Sequence, residues 1–335
     1  MSTLSSDRRR TMLRTAMGPA IAEALGDPRV IEIMVNPDGS LRLDILGEGR
    51  VDSGIVMSVE QVERIIRLVA SYARAEIHSD APIISAELPP HAEGRAGERF
   101  EGVLPPVATG PCFAIRKPAE RLYRLVDYVA DGLMSPDAAR ILSLGVVERR
   151  NIVVAGGTSS GKTTLANALL AEMAGLDERV ILIEDTRELQ SPAADTVALR
   201  TRRAGANSAA GVSMADLLRS TLRLRPDRII IGEVRGPEAL DMLKAWNTGH
   251  PGGIATVHAN SAPAALTRIE QLVQEAVVTV PRRLVAEAVD LIVFISGRGL
   301  QRRIASIARL TGVDPDGEYA LVDILPDHLA QGDPA

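Results

Sequence analysis

Gly156-Gly157-Thr158-Ser159-Ser160-Gly161-Lys162-Thr163 fits the pattern G-x-x-x-x-G-K-[ST], with Thr164 following. Glycines at these positions let backbone N–H groups turn inward around phosphate oxygens, and a helix beginning at the loop's end adds positive potential. Lys162 would reach the β- and γ-phosphates of a nucleoside triphosphate, and the Thr163 hydroxyl would coordinate Mg2+. The alternative is a glycine-rich turn that holds no ligand. The flanks favour the phosphate loop, because "NIVVAG" reads as a strand before it and "GKTTLANALLAEMA" as a helix opening from it.

Such a loop needs partners on neighbouring strands. "RVILIED" ends in Glu184-Asp185, and "RIIIGEV" carries Glu233. Both read as short continuous apolar strands, and open α/β sheets bind ligands beyond the carboxyl ends of their strands. One acid would order Mg2+ and its waters, and another would orient or deprotonate an attacking water. Solvated acids at strand ends are the plain alternative. "NTGHPGGIATVHAN" holds two of the five histidines, His250 and His258. Zinc wants three or four ligands, and no cysteine lies near, so metal ligation is disfavoured. "TGHPGG" is a turn in which His250 would cap the helix ending at Gly249. His258 ends the strand "IATV" and is placed to hydrogen-bond a phosphate oxygen.

The elements that must position these groups divide the 335 residues in two. Residues 1–118 read as an α+β domain with a helix over 10–25, split or kinked at Gly18-Pro19. A hairpin follows through Asn36-Pro37-Asp38-Gly39, and a second helix is capped by Ser58 with Gln61 three residues on. Residues 119–132 read as a linker. Residues 133–335 alternate strand and helix, starting with a helix capped by Ser135, and so predict an α/β fold with a buried, mostly parallel sheet. Hydrophobic residues make up 46% and aromatics only 2%, so Leu, Ile, Val and Ala must build the cores. The net charge is −5, which gives no whole-chain case for nucleic-acid binding. The start has no apolar signal region, and no apolar run approaches the ~20 residues needed to span a bilayer. The expected compartment is the cytoplasm, with any membrane contact peripheral. Arg8-Arg9-Arg10 is read as a solvated start, with docking to acidic lipid as the alternative. The basic loop Arg200–Arg203 is read as solvated, with a ring pore or a partner as the alternative.

Four boxes in order resemble the secretion ATPase superfamily, the motors of type IV secretion, conjugation, type II secretion and type IV pili. They are "GGTSSGKTT", "IEDTREL", "LLRSTLRLRPDRIIIGEVRGPEA" and "NTGHPGGIATVHAN". The stretch "LRLRPDRIIIGEVRGPEALDMLKAWNTGHPG", together with "GVLPPVATGPCFAIRKP", is most similar to the conjugative and type IV secretion branch. The lone cysteine argues against the tetracysteine module usual in type II secretion ATPases. The resemblance implies a RecA-like P-loop ATPase domain behind a smaller α+β domain, and hydrolysis of ATP with Mg2+. It makes Glu184 the catalytic carboxylate, puts Glu233 on Mg2+ or its waters, and sets His258 near the γ-phosphate with His250 nearby. Arg99 in "GERFEGVLPP" and Arg116 in "FAIRKP" resemble first-domain arginines that reach the nucleotide. Loss of the γ-phosphate would release them and couple hydrolysis to movement. Arg235 resembles a recurring arginine of undefined role. The resemblance further implies a homohexamer working with inner-membrane secretion or conjugation components. The rival readings are a pilus or type II secretion motor, a RecA-like helicase, and an ATP-binding scaffold without turnover. A helicase would need stacking aromatics, and three Phe, four Tyr and one Trp supply few.

Overall fold

The computed structural model describes residues 11–90, 96–118, 122–202 and 211–325. The chain forms two compact units, Met1–Glu120 with Gly205–Ala209, and Arg121–Ala204 with Ala210–Ala335.

In the first unit, residues 11–17 are helical and Gly18 (φ 86°) ends that run. Pro19 opens a separate helix, α1 (Pro19–Gly26). The strands are β1 (Val30–Val35), β2 (Ser40–Ile45), β3 (Gly49–Val56), β4 (Ile83–Glu87), β5 (Arg99–Val103) and β6 (Cys112–Arg116). They form one antiparallel sheet in the order β3-β2-β1-β6-β5-β4. Helix α2 (Val59–Ala73) starts in a reciprocal capping box, Ser58 accepting from the Gln61 N–H and the Gln61 side chain accepting from the Ser58 N–H. Its Val62, Ile65, Ile66 and Val69 recur at helical spacing and pack with Ile33, Phe100 and Ile115 of the sheet.

The second unit holds α3 (Leu125–Ala130), α4 (Pro136–Val147), β7 (Ile152–Gly156), α5 (Lys162–Ala171), β8 (Arg179–Glu184), β9 (Asp195–Arg200), α6 (Met214–Thr221) and β10 (Arg228–Ile231). After these come α7 (Glu238–Asn247), β11 (Ile254–His258), α8 (Ala262–Gln274), α9 (Arg282–Ala288), β12 (Leu291–Ser296), β13 (Arg303–Val313) and β14 (Tyr319–Asp323). The sheet order is β14-β13-β12-β7-β11-β10-β8-β9. From β12 to β9 every pairing is parallel, and β13 and β14 extend the edge antiparallel. Successive residues of the central strands serve opposite faces. Val153, Ile181 and Ile229 join the core under α6 to α9, while Val154, Leu182 and Ile230 join the core under α3 to α5. Burial on both faces explains why these strands are continuously apolar.

The amino ends of the strands are held by polar clamps. Arg228, buried at the start of β10, pairs with Glu178 at 2.5 Å and donates to the Val146 carbonyl at 2.8 Å. The Asn151 side chain accepts from the Gly252 and Gly253 N–H groups at 2.9 Å each and donates to the Ala288 carbonyl at 2.7 Å. These bonds hold the strand register at one end of the sheet, so the opposite ends arrive in fixed positions.

Candidate functional site

The phosphate loop joins β7 to α5. Ser159 (φ 61°) and Gly161 (φ 94°) both take the left-handed backbone conformation, which curls the loop inward ahead of the helix. Lys162 is buried, and its ammonium donates to the Gly157 carbonyl at 2.9 Å, across the mouth of the loop. The Ser160 hydroxyl is buried without a hydrogen-bond partner among the described residues. A curled run of backbone amides, an inward-held ammonium and an orphaned hydroxyl fit phosphate oxygens. Oxygen donors from Thr163 and Glu233 suit Mg2+, a hard cation that keeps waters and phosphates in its shell.

The neighbouring strand ends bring the acids and one histidine to the same edge of the sheet. Glu184 is 3% exposed, and its Oε1 accepts the N–H groups of Glu188 and Leu189 at 2.8 Å each. Burial outweighs those two bonds and pushes its carboxyl up to about 7. Gly232 makes room for it, since a β-carbon there would lie 3.0 Å from the Glu184 Cγ. That close approach explains the small residue before Glu233.

Glu233 lies between two basic side chains. Its Oε1 is 2.7 Å from His258 Nε2, a close contact without the alignment of a hydrogen bond, and its Oε2 accepts from Arg235. Lys162 Nζ stands 3.4 Å from His258 Nδ1 and 3.5 Å from Nε2, so the ammonium is on neither lone-pair axis. Burial of the ring, then the Lys162 cation, push the imidazole below its ordinary value, against the pull of Glu233. A ring that is neutral at neutral pH can donate one hydrogen bond and accept another.

The structure thus gathers the loop 156–164, Glu184, Glu233 and His258 along the carboxyl ends of β7, β8, β10 and β11. Arg99 and Arg116 sit opposite each other on β5 and β6 of the first unit, and Arg116 is exposed. His250 is placed differently from the expected cap. Helix α7 ends at Asn247, the Thr248 hydroxyl donates to the Lys244 carbonyl at 2.7 Å, and His250 Nδ1 lies 2.9 Å from the Pro226 carbonyl. It ties the turn before β11 to the approach of β10, at the end of the sheet away from the phosphate loop. Of the basic stretch, Arg202 bridges Val212, while Arg203 lies outside the described residues, as do Arg8-Arg9-Arg10. Among the described residues no helix is long and apolar enough to cross a membrane.

Sequence reading missed Arg302. A β-carbon built on Gly161 would lie 2.8 Å from its Cζ and 2.9 Å from its Nε and Nη1. The signal was present in "DLIVFISGRGLQRR", an apolar run ending in a glycine-rich basic turn.

A parallel sheet with helices on both faces, a phosphate loop after its central strand β7 and acids at adjoining strand ends define a RecA-like P-loop ATPase fold, here preceded by a smaller α+β unit. The family described as type II/IV secretion system protein matches residues 52–309, more than half of the chain. The chain belongs to that family. It is 46% identical over 302 residues to the conjugal transfer protein TrbB of Rhizobium radiobacter, covering 90% of each chain. It is 32% identical over 305 residues to the type IV secretion system protein VirB11 of Bartonella henselae, covering 81% of this chain and 83% of that one. The pilus retraction motor PilT, solved with bound ADP, is similar in fold with a TM-score of 0.58 at 21% identity, over 92% of this chain and 83% of that one.

Proposed function

We propose that this chain is the ATP-hydrolysing motor of a bacterial conjugation or type IV secretion system, powering pilus assembly or substrate transfer. The observation that carries this reading is the convergence of a complete phosphate loop with Glu184, Glu233 and His258 on one edge of the parallel sheet. The extent of identity to TrbB and VirB11 supports the conjugation and type IV branch over a pilus or type II motor. In this reading the protein is a homohexamer at the cytoplasmic face of the inner membrane, working with membrane components of the same system and without direct nucleic-acid binding.

The backbone amides of Gly156–Thr164 hold the triphosphate, and Lys162 leaves the Gly157 carbonyl for the β- and γ-phosphate oxygens. Thr163 and Glu233 would hold Mg2+, which when bound neutralises charge on those oxygens. Glu184 takes a proton from water as the water oxygen bonds to the γ-phosphorus and the bond from that phosphorus to the β–γ bridging oxygen breaks, releasing ADP and phosphate. A carboxyl held near 7 is matched to that task at neutral pH. His258, neutral and leaning on Glu233, donates to a γ-phosphate oxygen. Arg99 and Arg116 add positive charge to the triphosphate as it develops toward products.

His258→Ala is expected to lower kcat about 10- to 100-fold while ADP affinity stays within threefold, because the lost donor serves the γ-phosphate. An equal loss in ADP binding would make it a structural residue. Arg116→Ala is expected to lower kcat about 10³-fold with a smaller change in KM, as for arginines acting on transferring phosphoryl groups. Unchanged kcat would remove it from the mechanism. Light scattering tests the assembly: a mass near six chains with nucleotide supports the hexamer, and a monomer at micromolar concentration contradicts it.

A further inference from the structure

Strand β12 is the parallel, hydrogen-bonded neighbour of β7, with Ile295 opposite Gly156. The turn leaving the carboxyl end of β12 therefore stands beside the turn leaving β7, which is the phosphate loop. That turn is fixed from both sides. Gln301 N–H donates to the Arg298 carbonyl at 3.1 Å, and Ile304 N–H donates to the Leu133 carbonyl at 2.9 Å. Arg302 lies between these anchors, with its guanidinium flat against the backbone at Gly161. A side chain at position 161 would occupy that space, so the glycine serves the arginine as well as the left-handed turn.

The cation is poorly compensated. Its Nε is buried without a hydrogen-bond partner, and among the described residues Arg302 makes no ion pair. The nearby Tyr128 hydroxyl is also buried and without a partner, and it feels the Arg302 charge. A guanidinium with donors left over is costly to bury unless an anion meets it. Backbone amides at the second glycine of such a loop face the α- and β-phosphates, while the lysine reaches the β- and γ-phosphates.

We propose that Arg302 is a nucleotide-binding residue of the same subunit, its guanidinium pairing with an α- or β-phosphate oxygen of the nucleoside di- or triphosphate held by Gly161. This rests on the reading of Gly156–Thr164 as a nucleotide loop. The contact is shared by ADP and ATP, so it sets affinity for both and leaves the γ-phosphate chemistry to Lys162, Glu184 and His258. It also keeps a cation on the phosphates that comes from the loop's own unit, independent of Arg99 and Arg116.

The test is titration of the full-length protein with N-methylanthraniloyl-ADP and the corresponding ATP derivative, at low and high salt. The proteins are wild type, Arg302→Gln, Arg302→Lys and Lys162→Ala. Arg302→Gln is expected to weaken both nucleotides by the same factor, about 10- to 100-fold, the range of a charge-assisted hydrogen bond. Its affinity should fall less steeply with salt, and Arg302→Lys should recover most of the loss. The proposal is overturned if Arg302→Gln binds ADP within twofold of wild type. It is also overturned if Arg302→Lys is as weak as Arg302→Gln with an unchanged salt dependence, which would make the guanidinium a packing brace. If Lys162→Ala also binds ADP normally, the nucleotide-loop reading itself fails and takes this inference with it.

Discussion

Lys162→Ala is expected to abolish turnover, lowering kcat by about 10³ or more, while leaving the fold intact. The two effects separate cleanly at this residue. The buried ammonium donates to the Gly157 carbonyl at 2.9 Å, and a hydrogen bond of this kind is worth about 1 to 3 kcal/mol of stability. Removing it also removes the cost of burying a cation, so the melting temperature should move by only a few degrees. In the proposed transition state the same ammonium would face developing charge on the phosphates, which is where its larger effect is expected. Turnover lost with folding kept is the expected pair of results, read from phosphate release and thermal unfolding. Near-normal turnover would remove the phosphate loop from the chemistry.

Glu184→Gln is expected to destroy turnover and to raise stability at alkaline pH. The carboxyl stands near 7 in the folded protein against an ordinary 4.5, mainly because it is buried. The folded state therefore binds more protons than the unfolded state between those values, so stability falls as pH rises through the window. Above about pH 7 the buried charge costs on the order of 3 kcal/mol, and below about pH 4.5 it costs nothing. Glutamine keeps an oxygen for the Glu188 and Leu189 N–H groups and carries no charge. Its stabilising effect should be largest at pH 8 and shrink toward pH 5. Catalytically the same shift predicts that wild-type kcat/KM rises with pH through a midpoint near 7 to a plateau above about pH 8, as Glu184 becomes a base. A Gln variant with wild-type melting at every pH would show that the buried charge is not there.

The site was legible where function is local in the chain. The phosphate loop needs Gly156, Gly161, Lys162 and Thr163 at fixed spacing, and that spacing is visible in one line of sequence. Glu184, Glu233 and His258 were found because each ends a continuous apolar run, and such runs in a parallel sheet all finish on the ligand-binding side. Arg302 escaped because its position depends on sheet order. β12 pairs beside β7 although more than a hundred residues separate them, and no local pattern states which strands are neighbours. Strand β3 was silent for a different reason: along Gly49–Val56 only Val51 and Ser53 are half-buried and the rest are exposed, so no apolar face marks it. His250 shows the limit of turn chemistry. "TGHPGG" announces a bend, but the partner of the ring, the Pro226 carbonyl, comes from another segment.

The proposed roles also separate binding from commitment to hydrolysis. In the proposed function the loop amides and, on our inference, Arg302 serve phosphates common to ATP and ADP, while Lys162 spans the β- and γ-phosphates. In the same proposal His258 and Glu184 act at the γ-phosphate, which only the triphosphate has.

The most direct measurement is steady-state phosphate release by the purified full-length protein beside Glu184→Gln, each with and without single-stranded DNA. The account predicts turnover in the wild type, its loss in Glu184→Gln, and no response to DNA in either. Turnover that depends on DNA, or a fully active Glu184→Gln protein, would contradict it.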